Sequence, residues 1–126
     1  MLLGELMVVD AANVIGSRPD GWWRDRAAAA GRLVADLQGL RSSGEVVVVL
    51  EGAARAGVEP GAHGVLSVVH ARGSGDDEIV GVAASALEQD PDTPVTVVTS
   101  DRELRRRVEA LGARAHGPGW LWRQLH

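Results

Sequence analysis

Apolar and polar positions fall along this chain in blocks whose periods predict its elements. Glu5-Leu6-Met7-Val8-Val9-Asp10 is an apolar run closed by an acid and reads as a buried strand. From Trp22 to Ser42, Ala27, Ala30, Val34, Leu37 and Leu40 recur at steps of three and four, the period of an amphipathic helix, which Gly44 ends. Glu45 to Glu51 is a second strand, too uniformly apolar between its end acids for either face to meet water. Gly52 to Gly64, rich in Gly and Ala and containing Pro60, predicts a loop. Val65 to His70 predicts a third strand, followed by a turn at Gly73-Ser74-Gly75. A helix over Asp76 to Glu88 turns Ile79, Val80, Ala83, Ala86 and Leu87 inward. Pro91 and Pro94 end that helix and open a fourth strand, Val95 to Thr99. Arg102 to Leu111 predicts a third helix through Leu104, Val108 and Leu111, closed by Gly112. A short fifth strand, Ala113 to His116, a Gly-Pro-Gly turn and a tail holding Trp120 and Trp122 complete the chain.

Strands that alternate with helices, each strand nearly all apolar, predict an α/β fold: an open parallel sheet covered on both faces. The 126 residues suffice for one domain spanning 1–126 with a single core. With four Trp and no Phe or Tyr, that core has to be built from Val, Leu, Ile and Ala. Cysteine is absent, which excludes disulfides and thiolate metal sites. Met1 to Asp10 lacks the basic region of a signal peptide, and no apolar run approaches the roughly 20 residues of a membrane span. The expectation is a soluble, cytoplasmic protein with no membrane partner. A net charge of −4 does not suggest a nucleic-acid binder, yet all thirteen basic residues are Arg, whose forked guanidinium suits phosphate. Where those charges lie matters more than their sum.

Open parallel sheets place their sites beyond the carboxyl ends of the strands, so the residues that end strands are the candidates. Asp10 follows the first strand, Glu51 the second and Asp101 the fourth, while Asp76 and Asp77 open the helix after the third. Two unit charges about 4 Å apart repel by roughly 4 kcal/mol at an effective dielectric of about 20. Gathered carboxylates must therefore protonate, spread apart or share a cation. Oxygen donors without His or Cys favour Mg²⁺ or Mn²⁺ over zinc. Such an ion can lower the pKa of a bound water and neutralise charge growing on a phosphate, the chemistry of phosphodiester hydrolysis.

Each acid also has an ordinary structural reading. Ser100-Asp101-Arg102-Glu103 fits a capping box with Ser100 as cap, and Asp101 would then merely favour the helix dipole. Ser74-Gly75-Asp76-Asp77 fits the same box with Asp77 reaching back, which leaves Asp76 unexplained. Asp10 has no evident cap to make, and Glu51 reads equally as a polar strand end. Asn13, three residues beyond Asp10, can orient that carboxylate or a water, or simply serve a turn. Thr99 and Ser100 suit a phosphate or a nearby water, though capping suffices for Ser100.

Three blocks taken together resemble a known family. Val8-Val9-Asp10-Ala11-Ala12-Asn13-Val14-Ile15-Gly16, Gly75-Asp76-Asp77-Glu78-Ile79 and Val97-Val98-Thr99-Ser100-Asp101-Arg102-Glu103 look like the three motifs of the NYN domain, the YacP-like branch of the PIN-like nuclease superfamily. Gly21-Trp22-Trp23-Arg24-Asp25-Arg26 looks like an actinobacterial subgroup of it. The resemblance implies a PIN-like three-layer sandwich with a central parallel five-stranded sheet in the order 3-2-1-4-5. It also implies a Mg²⁺ or Mn²⁺ centre and RNA cleavage, with Asp10, Asn13, Asp76 and Asp101 at the acidic-site positions. Asp77 falls beside one of these, and Glu51 stands where relatives often carry Asp. The motif has Gly-Tyr between its first acid and Asn, whereas this chain has Ala11-Ala12.

Arg102, Arg105 and Arg106, with Arg107, outnumber Glu103 and Glu109 on the third helix, and Arg18, Arg24 and Arg26 follow the first strand. Such a rim would attract RNA phosphates, unless it is a solvated face with pairs such as Arg105–Glu109. Trp22 and Trp23 could stack unpaired bases or act as core beside a helix start. Trp120 and Trp122 are expected to pin the tail to the sheet. The four His show no metal spacing. The alternative to a nuclease is a PIN-like module that binds RNA without cutting it. A receiver-type domain is a poor fit, because it needs an acidic pair after the first strand and a Lys, and there is no Lys. A phosphate loop and a dinucleotide fingerprint are absent as well. A toxin of the same superfamily, a ribosome-associated or structured RNA and a homo-oligomer all stay open, the last without any sequence signal for it.

Overall fold

The computed structural model describes residues 5–40 and 44–125. Within them the apolar runs are strands and the three- and four-residue stripes are helices. In chain order these are β1 (Leu6–Asp10), α1 (Ala11–Gly16), α2 (Arg26–Gln38), β2 (Glu45–Leu50), β3 (Gly61–His63), β4 (Leu66–His70), α3 (Gly75–Gln89), β5 (Val95–Val98), α4 (Arg102–Ala110), β6 (Arg114–His116) and α5 (Pro118–Leu125). Short 3₁₀ turns at Trp22–Arg24 and Gly52–Gly57 join them. The expected extension of α2 to Ser42 reaches beyond the described residues, which resume at Gly44.

One six-stranded sheet runs β3-β4-β2-β1-β5-β6. The expected five parallel strands lie in the expected order, with β1 central between β2 and β5. The sixth strand is a correction. Gly61–His63, expected as loop, pairs antiparallel to β4. Its three residues are too few and too Gly-rich to show a period of two, so pairing with β4 rather than pattern makes it a strand.

Side chains alternate across the sheet, and this splits the core into two clusters. Val9, Val46, Val48, Leu50, Leu66, Val68 and Val98 face one layer, packed with Leu33, Val34 and Leu37 of α2, Val14 of α1 and Leu121 of α5. Val8, Val49, Val95 and Val97 face the other, against Ile79 and Ala83 of α3 and Leu104 and Val108 of α4. The result is a three-layer sandwich. Truncating a buried Leu such as Leu33 in such a core typically costs about 2–5 kcal/mol. Trp120 and Trp122 pack against the first cluster, as expected for residues that pin the tail, and the tail they hold is itself helical. Among the described residues no helix is long and apolar enough to cross a membrane.

Candidate active site

Asp10 ends the central strand with only 3% of its surface exposed. Leaving a carboxylate there costs free energy unless donors surround it, and three do. The Asn13 backbone N–H donates to Oδ1 at 3.3 Å, the Asn13 side-chain amide to Oδ2 at 2.6 Å and the Thr99 hydroxyl to Oδ2 at 2.8 Å. Burial nonetheless dominates and raises the Asp10 pKa, with the nearby Glu51 charge adding to it and the Thr99 and Asn13 bonds opposing.

These bonds correct one reading of the sequence. Asp10 does make a cap: it is the N-cap of α1 and accepts from the third residue beyond it. A six-residue helix offers too few positions for a recognisable stripe, which hides its cap from the pattern. Asn13, on that helix, orients the Asp10 carboxylate and accepts a hydrogen bond from the Ser100 hydroxyl. Ser100 is therefore not the cap of α4. Asp101 is, accepting from the Leu104 N–H at 3.0 Å, while its own N–H donates to Thr99 at 3.1 Å.

The parallel register explains why Thr99 meets Asp10. Val9 pairs with Val98, so the residues that follow them, Asp10 and Thr99, lie side by side at the carboxyl ends of β1 and β5. The sequence suggests Thr99 only as a contact for phosphate or water. Its partner is readable from the adjacency of the first and fourth predicted strands.

The other acids approach from α3. Ser74 caps that helix as expected, accepting from the Asp76 N–H at 3.1 Å. Asp77 does not reach back; it is exposed and pairs with Arg107 of α4 at 3.0 Å. Asp76 faces the site. Its pKa is raised by burial first, then by the charges of Asp101 and Asp10, with Arg107 opposing and Asp77 adding a little. Glu51 accepts from the Gly75 N–H at 2.7 Å and so ties the end of β2 to the start of α3. A methyl group at Gly75 would overlap that carboxylate, so the close approach requires glycine.

At one edge of the sheet the charges of Asp101 and Asp10 thus both act on Asp76, and that of Glu51 acts on Asp10. The donors are all carboxylate or amide oxygens, which is the chemistry Mg²⁺ or Mn²⁺ takes; burial is the first cause of both raised pKa values, and the charges of neighbouring acids add to it. The donor set fits such an ion. Among the described residues, however, no three acidic or His side chains are already arranged to hold one.

The proposed RNA-holding residues divide. Arg102 and Arg106 lie exposed on α4, which starts at Asp101. Arg105 donates to the Ala115 carbonyl at 3.4 Å instead of pairing with Glu109. Arg18 lies over the Trp122 ring at 3.7 Å and Arg24 is near Trp23 at 5.8 Å. Trp22 packs against the first core cluster, with Arg26 at 5.3 Å from its ring, so its place is that of core beside a helix start. Trp23 is exposed.

Comparison with solved structures bears on this arrangement. Two crystal structures of Rae1 (YacP) from Bacillus subtilis, one of a tryptophan-to-leucine variant, match with TM-scores of 0.76 and 0.71 at 20% identity. Each match covers 96% of this chain, and 74% and 73% of those chains respectively. The fold is YacP-like. No protein-family model matches the chain, and neither does any curated protein sequence. At this identity the likeness to Rae1 is one of fold, of the PIN-like α/β class, with this chain's hairpin strand β3 at one edge.

Proposed function

We propose that this protein is a metal-dependent ribonuclease acting on RNA in the cytoplasm. The observation that carries the reading is the electrostatic crowding of Asp76 with Asp101 and Asp10, around a buried Asp10 held in place by Asn13 and Thr99. The resemblance of the three motif blocks to the NYN domain supplies the reaction class. Asp10, Asp76 and Asp101 would hold a Mg²⁺ or Mn²⁺ ion, with Glu51 behind them. When bound, that ion neutralises charge that grows on the phosphate. Asn13 and Thr99 fix the orientation of the Asp10 carboxylate, so that little reorganisation is left for the moment of reaction. Glu51, through Gly75, fixes where α3 delivers Asp76. Arg102 and Arg106 meet the substrate's phosphates at the rim. Placement in the actinobacterial subgroup rests on Gly21 to Arg26 alone.

The test is incubation of labelled RNA with the protein in Mn²⁺, in Mg²⁺ and in EDTA, beside Asp10→Asn. Cleavage in either metal that both EDTA and Asp10→Asn abolish is the expected result. The lack of a prearranged three-ligand group among the described residues favours a second reading, a PIN-like module that binds RNA without cutting it. RNA that is retained but stays intact in every condition would establish that reading instead.

A further inference from the structure

Among the described residues the structure makes one ion pair, and it stands next to the acidic edge. Arg107 of α4 donates to the Asp77 carboxylate at 3.0 Å, and Asp77 follows Asp76 in the first turn of α3. Two other acids are passed over. Glu103 lies four residues before Arg107, the favoured order for a pair along one helix, yet no ion pair joins them. The Arg107 charge also acts on Asp76, but the guanidinium is not paired with it.

We infer that Asp77 is a holding partner for Arg107: it keeps the guanidinium from pairing with Asp76 and so leaves that carboxylate open to a divalent cation. The inference rests on the ribonuclease reading for the cation and deepens it, giving a positioning role to an acid that reading leaves unused.

The potential favours the wrong partner. Asp76 is less exposed than Asp77 and lies in the field of Asp10 and Asp101 as well, so negative charge is densest around it. A guanidinium can place two hydrogen bonds on one carboxylate, which would occupy the oxygens a hard cation takes. Successive residues of a helix point about 100° apart. The first turn of α3 can therefore send one carboxylate to the acids and the next to α4. A helix N-terminus favours an acid at position 77 whatever its neighbours, but that preference does not bring Arg107 across from α4. With a cation at Asp76, the same pair keeps the Arg107 charge partly neutralised beside it. Both members are exposed, and such pairs are individually weak. One substitution is thus enough to redirect the arginine.

Calorimetric titration of Mn²⁺ into wild type, Asp77→Asn, Arg107→Met and the double variant tests the idea. Both side chains lie outside the core, so all four proteins should fold, which a melting curve checks. Asp77→Asn should weaken Mn²⁺ binding about three- to five-fold, the scale of one exposed ion pair redirected. Arg107→Met should bind at least as tightly as wild type, and Asp77→Asn should cost little in that background. An equal loss with and without Arg107 overturns the inference, because Asp77 would then act only as one more negative charge near the ion. A metal-free reading comes from the Arg107 Nε–H in NMR spectra recorded in EDTA, assigned by its absence from Arg107→Met. This group should stay ordered in Asp77→Asn, where the arginine moves to Asp76, and become mobile once Asp76→Asn is added. Mobility in Asp77→Asn alone overturns the inference equally. Metal binding and cleavage keep the two ideas apart. If no variant binds Mn²⁺, the ribonuclease reading falls, and the spectra decide alone whether Asp77 keeps Arg107 from Asp76. Metal-dependent cleavage with a Mn²⁺ affinity indifferent to Asp77 does the reverse.

Discussion

The Thr99 hydroxyl, with no exposed surface, serves two partners: it donates to Asp10 and accepts from the Asp101 N–H. Thr99→Val keeps the shape and removes both bonds, which should cost about 1–3 kcal/mol in urea unfolding, whereas Thr99→Ser should restore most of it. The Asp10 pKa should rise further in the Val variant, since the Thr99 bond opposes the effect of burial. Asp76 makes a pH-dependent prediction. Its folded pKa lies above the ordinary value of 3.8, so between the two the native state binds more protons and stability falls as pH rises through that window. In EDTA at neutral pH, Asp76→Asn should therefore melt higher than wild type. That gain should shrink as pH falls towards the ordinary carboxylate value, and the variant should not cleave RNA. A gain independent of pH would mean that charge repulsion is not its source. Asp77→Ala should behave differently: it removes an exposed pair with Arg107, costing under about 1 kcal/mol, and metal-dependent activity should persist. At this scale the sequence tells which acids sit at the edge, and ranks Asp76 above Asp77 on the capping pattern. It misplaces the α4 cap by one residue, because Ser100 and Asp101 are equally good caps and only the bond from Ser100 to Asn13, across 87 positions, separates them.

Two elements deliver the acids, and each is anchored by a contact outside its own pattern. The start of α3 is tied to β2 through Glu51 and the Gly75 N–H. Gly75→Ala should displace the Glu51 carboxylate and lower activity more than stability, because the broken bond is worth about 1 kcal/mol while an added methyl favours the helix. Steady-state cleavage set beside a melting curve reads the two effects separately; equal, small effects on both would mean that Glu51 does not position α3. The carboxyl end of α1 is tied to α5 through Ser17 and Trp122. Uniformly apolar runs locate β1, β2, β4 and β5, and the 3.6-residue period locates the three longer helices. They cannot show α1, β3 or α5, whose six, three and eight residues are too few to establish a pattern. Glu51 looks like a strand end because its partner, Gly75, lies 24 residues away and carries no side chain to signal it.

The whole molecule should respond to metal as one cooperative unit. A cation that binds only the folded state raises stability by about 2.7 kcal/mol at a hundred times its Kd, so Mn²⁺ or Mg²⁺ should raise the melting temperature of wild type but not of Asp76→Asn. A wild type indifferent to millimolar metal would leave the acidic edge as a bare groove. RNA binding should depend on salt through the exposed α4 arginines. Arg102→Ala with Arg106→Ala should flatten that dependence by roughly one unit of slope for each phosphate no longer neutralised, and an unchanged slope would place the phosphates elsewhere. The sheet order is legible as a resemblance carried by three short motifs, and the strand that is not legible has its own consequence. Both borders of this sheet are three-residue strands, β3 and β6, and β3 covers the longer β4 by folding back on it through Gly64. An uncovered β4 would present a row of open backbone donors and acceptors to any extended chain nearby, the template from which edge-to-edge aggregation grows. The hairpin that the sequence hides among Gly and Ala is, in these terms, a guard against self-association of a valine-rich sheet.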